Sequence, residues 1–89
     1  MSVKSVADAV VVFTEALHRK GAHAIEFGYY PIEGDAEPQP GEPVKWWAKA
    51  TFRGRVYTGE AVGVGAEPIV EAFKACAIAA GLTVRVRYE

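Results

Sequence analysis

Two segments of the chain repeat apolar side chains at the spacing of an α-helix. The first covers residues 3–17, where Ser5 and Asp8 form a capping-box pair, and Gly21 suits the left-handed position after a helix. The second begins near Pro68, a residue favoured in a first helical turn. The buried stripe of this second helix is expected to consist of Ile69, Val70, Phe73, Cys76, Ala77 and Ala80. The pattern therefore predicts two amphipathic helices.

Four other segments alternate apolar and polar side chains, as half-buried β-strands do. They cover residues 22–32, the two halves of residues 44–64, and a last segment with apolar positions at Leu82, Val84, Val86 and Tyr88. The order helix, three strands, helix, strand predicts a two-layer α+β fold, α-β-β-β-α-β, with both helices on one face of an antiparallel sheet. Phe73 and Trp46 are expected to face each other between the layers.

The register of the hairpin in residues 44–64 can be predicted from its turn. Arg53-Gly54 suits a two-residue turn in which the glycine takes a positive φ. That turn pairs Phe52 with Arg55, Ala50 with Tyr57, Ala48 with Gly59 and Trp46 with Ala61, and these residues form one apolar face. The opposite face then carries Lys45, Trp47, Lys49, Thr51, Val56, Thr58, Glu60 and Val62. A slip of one residue would exchange the two faces of the return strand.

Composition and charge fit one small globular domain. The chain has 89 residues, 51% of them hydrophobic and 24% charged, so we expect a single domain over residues 1–89. Residues 31–43 hold four prolines, two glycines, four acidic residues and no basic one, which predicts a long, mobile, acidic loop. The net charge is −1 for the whole chain and +3 outside that loop. This small surplus argues against a strong nonspecific polyanion binder.

The cysteine count and the apolar runs bear on where the protein works. A single cysteine, Cys76, excludes an intramolecular disulfide framework and fits a reducing compartment. The longest uncharged apolar stretch, residues 75–84, is about half of a membrane span. Asp8 interrupts the apolar run in which a signal peptide would need its core. We therefore expect a soluble cytoplasmic domain without a membrane partner.

Residues 46–80 place an aromatic strand, a glycine turn, a return strand with Gly59 and Gly63, and an alanine-rich helix in succession. In the order and composition of these elements the segment resembles the double-stranded RNA-binding domain, and this resemblance implies that family's α-β-β-β-α topology. The family's phosphate-binding lysine cluster is absent, because residues 66–71 read Ala-Glu-Pro-Ile-Val-Glu and only Lys74 follows. The resemblance thus favours the fold and disfavours duplex-RNA binding. The hairpin and helix are also similar to the C-terminal regulatory domain of isopropylmalate-synthase-type enzymes.

Few residues suggest catalytic or metal chemistry. His18, His23 and Glu26 match no familiar metal-binding spacing. Residues 63–65 form a glycine-rich turn before a helix, but no Lys-Ser/Thr follows and Glu67 would repel a phosphate. The carboxylates are spread over loops and helix ends, so no acid–base pair stands out. We expect neither an enzyme nor a cofactor or metal site.

The predicted open side of the sheet combines aromatic and basic side chains. The candidate binding residues are Lys45, Trp47 and Lys49 on one strand, Arg53 and Arg55 at the turn, and Arg85 and Arg87 on the last strand. An exposed sheet with this much apolar surface fits protein–protein contact, including self-association. The same face fits a single-stranded nucleic-acid binder in which bases stack on Trp47. The acidic loop and the small charge surplus favour protein contact, and a regulatory small-molecule-binding domain is the third interpretation.

Overall fold

The computed structural model describes residues 2–31 and 41–88 of the chain. Its elements are β1 (Ser2–Val3), α1 (Val6–Arg19), β2 (His23–Pro31), β3 (Val44–Phe52), β4 (Arg55–Gly63), α2 (Glu67–Ala79) and β5 (Arg87–Tyr88). β2, β3 and β4 form an antiparallel sheet in that order. The chain is therefore an α+β fold with a three-stranded antiparallel sheet and two helices. Neither helix of the described residues is long and apolar enough to cross a membrane.

Local sequence signals set the ends of both helices. The Ser5 hydroxyl accepts a hydrogen bond from the Asp8 N–H at 3.1 Å, as the capping-box pair predicts. Gly21 and Gly81 follow the helices with φ of +96° and +77°. In both cases the next N–H donates to a carbonyl five residues earlier, at 3.0 and 2.8 Å. This Schellman pattern satisfies carbonyl groups that have no hydrogen-bond partner within the helix, and each helix ends two residues before its glycine.

The hairpin of β3 and β4 has the predicted register. Phe52 lies opposite Arg55, and the pairing continues without a shift to Val44 and Gly63. Both turn residues have positive φ, +51° at Arg53 and +78° at Gly54, which is the type I′ geometry that matches the twist of the strands. The predicted division of the hairpin into two faces is therefore confirmed.

The core lies between the sheet and the helices. α2 packs on β3 and β4, and a Cβ at Gly59 would overlap the Ala72 carbonyl oxygen and the Cys76 nitrogen. Gly59 thus allows the helix backbone to approach the strand closely. Phe73 of α2 stacks on Phe13 of α1, with ring centroids 5.1 Å apart.

The aromatic partners of Phe73 differ from the expected one. Besides Phe13, its ring tilts against Phe27 of β2 at 6.0 Å. Trp46, expected opposite Phe73, has Tyr29 as its ring neighbour at 5.2 Å. The Phe13–Phe73–Phe27 series shows that both helices share the side of the sheet on which Phe27 lies.

The strand predicted over residues 82–88 is wrong in extent and in partner. Only Arg87–Tyr88 is a strand, and it pairs in parallel with Ser2–Val3 instead of joining the antiparallel sheet. Val86 is nonetheless buried in the core. An extended segment that packs on a core shows the same alternation as a strand, because alternation reports the buried side and not the pairing partner. Residues 32–40 of the predicted acidic loop lie outside the described residues.

Candidate binding surface on the open face of the sheet

One side of the three-stranded sheet carries no helix within the described residues. We call this side the open face. It consists of Glu26, Gly28 and Tyr30 on β2, Lys45, Trp47, Lys49 and Thr51 on β3, and Val56, Thr58, Glu60 and Val62 on β4. Three of its larger apolar side chains, Tyr30, Val56 and Val62, are 53%, 57% and 59% exposed. The surface is thus partly apolar.

The charges of the open face are paired with one another. Lys45 Nζ lies 3.1 Å from Glu60 Oε2, and Lys49 Nζ lies 3.4 Å from Glu26 Oε2. Each pair joins neighbouring strands and remains about half exposed, so each contributes little to stability, about 0–1 kcal/mol. Their main effect is on charge: two lysines and two glutamates leave the open face neutral.

Trp47 occupies the centre of the open face and covers a glycine. It lies opposite Gly28 on β2. A Cβ built on Gly28 would be 2.7 Å from Trp47 Cζ2 and 2.9 Å from Trp47 Nε1. The indole therefore fills the space above the glycine backbone, an arrangement by which a cross-strand aromatic compensates for a missing side chain. Trp47 has a structural role in the sheet in addition to any role in binding.

A shallow hollow adjoins the indole. Its volume is about 300 Å³, at the lower limit of small-molecule sites. It is lined by Tyr30, Trp47, Ala48, Lys49, Thr58 and Glu60. The hollow could receive a planar ring or a single protruding side chain, with a cation and a carboxylate at its rim.

The structure does not bring the seven predicted binding residues together. Lys45, Trp47 and Lys49 lie on the open face. Arg53 lies in the turn, with its guanidinium 5.1 Å from the centroid of the Phe52 ring. Arg55 lies opposite Phe52 and so belongs to the helix side of the sheet. The two remaining arginines lie outside the three-stranded sheet: Arg85 is exposed between α2 and β5, and Arg87 is in β5.

Sequence reasoning missed the contribution of β2 to this surface. Glu26, Gly28 and Tyr30 alternate with the apolar side of β2, which was visible in the sequence. Their register against β3 was not, because residues 32–43 separate the two strands in the sequence. The register also shifts between His23 and Glu26, where Ala24 has φ of +51°. A bulge of this kind changes which residues face which side and leaves no clear mark in the sequence.

His18 and His23 lie apart from Glu26 in the structure. Within residues 2–31 and 41–88, no group of three or more His, Cys, Asp or Glu side chains could hold a metal ion. His18 and His23 line one shallow hollow together with Glu15. Glu26 is directed instead to Lys49 on the open face.

Cys76 lies in the core, as its place on the helix stripe predicts. It is 1% exposed, and its Sγ donates to the Tyr57 carbonyl at 3.3 Å. Burial raises the pKa of the thiol, and a hydrogen bond with the Ala50 backbone opposes that rise. A thiol held neutral in this way is a weak nucleophile.

Comparison of the chain with protein-family models, with curated proteins and with solved structures finds no match. The resemblance to the double-stranded RNA-binding domain therefore stays a prediction.

Proposed function

We propose that this chain is a small non-catalytic binding module that self-associates through the open face of its sheet. The observation that carries the proposal is the charge balance of that face. Lys45 and Lys49 are each paired with a glutamate of the same face, while Tyr30, Val56 and Val62 of that face are exposed. A neutral face with exposed apolar side chains favours burial against protein.

A second copy of the chain suits the charge pattern of the open face. In a two-fold symmetric dimer the same patch meets itself, so each lysine can face a glutamate of the other copy. The two ion pairs already cancel within one copy, so bringing two faces together sets no excess of like charge against itself. The complementarity supports a homodimer more directly than it supports a strongly charged partner.

The size of the open face predicts the strength of the contact. Three strands of nine residues span about 30 by 14 Å, from a rise of about 3.3 Å per residue and a strand spacing of about 4.8 Å. Two such faces cover about 800 Å² in projection, and side-chain relief increases the accessible area that is buried. The total lies near the lower end of stable interfaces, about 1,200 Å². We therefore expect a weak dimer, in the micromolar range or weaker.

Single-stranded nucleic-acid binding is the second candidate function. It is favoured by the hollow in which Tyr30, Trp47 and Lys49 come together, because bases stack on aromatic rings and phosphates bind lysine. The ion pair of Lys49 with Glu26 weighs against it, since a phosphate would have to displace the carboxylate. This candidate predicts salt-dependent binding by a monomer.

Sedimentation equilibrium over a wide protein concentration range tests the proposal. Val62→Lys adds a charge to the open face and should weaken association at least about tenfold, an effect of about 1.4 kcal/mol. Ile78→Lys is the matched control, because Ile78 is 74% exposed on α2, on the other side of the sheet. Equal effects of both variants would contradict the proposal. A monomer that binds labelled oligothymidylate, and loses that binding in high salt, would establish the second candidate.

A further inference from the structure

The outer edge of β4 offers a row of unpaired backbone groups. β4 is the last strand of the sheet and pairs with β3 without a bulge along its whole length. Because the two-residue turn makes Phe52 and Arg55 a hydrogen-bonded pair, every second residue of β4 turns its N–H and C=O toward β3. The residues between them turn the same groups outward: they are Val56, Thr58, Glu60 and Val62.

Nothing else in the described part of the chain occupies this edge. β4 contacts β3 and α2 and no other element of residues 2–31 and 41–88. Among those residues, the backbone hydrogen bonds outside the helices and strand ladders do not involve β4. The outward donors and acceptors are therefore available to a partner.

The two edges of the sheet differ in how they are protected. The outer strand on the opposite side, β2, is interrupted by the register shift between His23 and Glu26 and ends at Pro31. Bulges and prolines of this kind are the usual means by which proteins prevent strand addition. β4 has nine residues, no proline and no bulge. Strand addition is therefore hindered at both ends of β2. It is not hindered in this way along β4.

α2 lies above β4, and its small side chains leave space beside the outer edge of this strand. The helix backbone approaches β4 at Gly59, where a Cβ would lie 2.9 Å from the Ala75 carbonyl carbon. One helical turn later, Ala79 lies on the same side of α2. Because both side chains are small, an added strand would meet little steric bulk at these two positions of α2.

We propose that the β4 edge binds an extended segment of another protein by antiparallel β-strand addition. The segment would carry apolar residues opposite Val56 and Val62, with small residues on the side of α2. These requirements follow from the alternation of side chains in a strand. The backbone supplies the affinity, and the apolar contacts with Val56 and Val62 and the narrow space under α2 supply the selectivity.

A second folded copy fits this edge less well than a free segment does. Antiparallel pairing of two β4 edges about an axis normal to the sheet places both copies of α2 on the same side. α2 packs on both β3 and β4, so the two helix axes would be separated by roughly one to two strand spacings, ~5–10 Å, and crowded against the ~8–10 Å that packed helices need. A segment without a helix of its own avoids this overlap.

Amide hydrogen exchange with a synthetic peptide tests the inference. The probe is Val-Ala-Lys-Ala-Thr-Ala-Val, acetylated and amidated at its ends, which places lysine opposite Glu60. At saturation the amides of Val56, Thr58, Glu60 and Val62 should exchange at least about tenfold more slowly. The amides of Tyr57, Gly59 and Ala61 already point toward β3 and should change little. Protection without this alternation, or no protection, would overturn the inference.

Two variants separate strand addition from binding to the open face. Thr58→Pro removes an outward N–H and keeps every hydrogen bond to β3, so it should abolish peptide binding, while Thr58→Val should retain it. If Thr58→Pro does not fold, the test uses a peptide that is N-methylated at its lysine and threonine. Binding of this N-methylated peptide would contradict strand addition. A chain that dimerises but ignores the peptide overturns only this inference. A monomer that binds the peptide with alternating protection overturns only the dimer.

Discussion

The indole of Trp47 lies across the backbone of Gly28 on the neighbouring strand, so close that a Cβ on the glycine would be 2.7 Å from the ring. Glycine in the middle of a strand weakens the strand because it has no side chain to pack. The Trp47 indole packs over the Gly28 backbone in place of the side chain that glycine lacks. The two residues therefore form one structural unit at the centre of the open face.

Gly28→Ala should displace the Trp47 ring and reduce stability by about 1–2 kcal/mol. In a Trp47→Ala background the same change should cost nothing or stabilise the protein, because alanine is a better strand residue than glycine once the ring is gone. Urea unfolding of the two single variants and the double variant measures the coupling. An equal cost of Gly28→Ala in both backgrounds would show that the ring does not rest on the glycine.

Gly59→Ala should be far more damaging. Its Cβ would meet the backbone of Ala72 and Cys76, and backbone atoms cannot move aside without shifting α2. The expected loss is about 3 kcal/mol or more. Gly63→Ala is the matched control, because its Cβ would lie 3.4 Å from the Pro68 ring and should cost under about 1 kcal/mol. Comparable melting temperatures for the two variants would refute the close approach of α2.

Phe73→Ala should cost about 3–5 kcal/mol, because the fully buried ring leaves a cavity between Phe13 and Phe27. In a domain of this size such a loss removes much of the net stability. Val11→Ala, at a position 54% exposed on α1, is the control and should stay within about 0.5 kcal/mol. An unchanged thermal unfolding curve for Phe73→Ala would place this ring outside the core.

The buried thiol predicts a specific loss of stability at alkaline pH. Burial raises the pKa of Cys76 from its ordinary value of 9.0, so the folded state holds the thiol proton more firmly than the unfolded state does. The resulting stability is fully present below pH 9 and is lost as the pH rises through the folded-state pKa. The stability difference between the native chain and Cys76→Ala should therefore shrink as the pH rises above 9. A constant difference over that range would contradict the assignment.

The parts of the fold that the sequence predicted well are those controlled by short-range chemistry. Ser5, Gly21 and Gly81 mark the helix ends through contacts within a few residues. The Arg53-Gly54 turn determines the register of β3 against β4, because two residues leave the chain one way to return. These features depend only on residues that are close together in the sequence.

The parts that could not be predicted depend on distant partners. Glu26 belongs to the open face only because β2 pairs with β3 in one particular register, and the long connection between the strands does not impose it. The ion pair of Lys49 with Glu26 was therefore hidden, whereas Lys45 and Glu60 already share a face in the predicted hairpin. Val86 illustrates the same point, since its alternation with polar neighbours is compatible with a strand in the sheet and with an extended segment packed on the core.

The two tryptophans provide the most direct test of the central claim. Trp47 lies on the open face and Trp46 on the helix side, beside Tyr29, so the molecule carries one reporter on each side of its sheet. A dilution series of ¹⁵N-labelled protein, with the indole N–H signals assigned through Trp47→Phe, follows both at once. Self-association through the open face predicts that the Trp47 signal shifts with concentration while the Trp46 signal stays in place. A Trp47 signal that is independent of concentration up to millimolar protein, or a shift confined to Trp46, would contradict it.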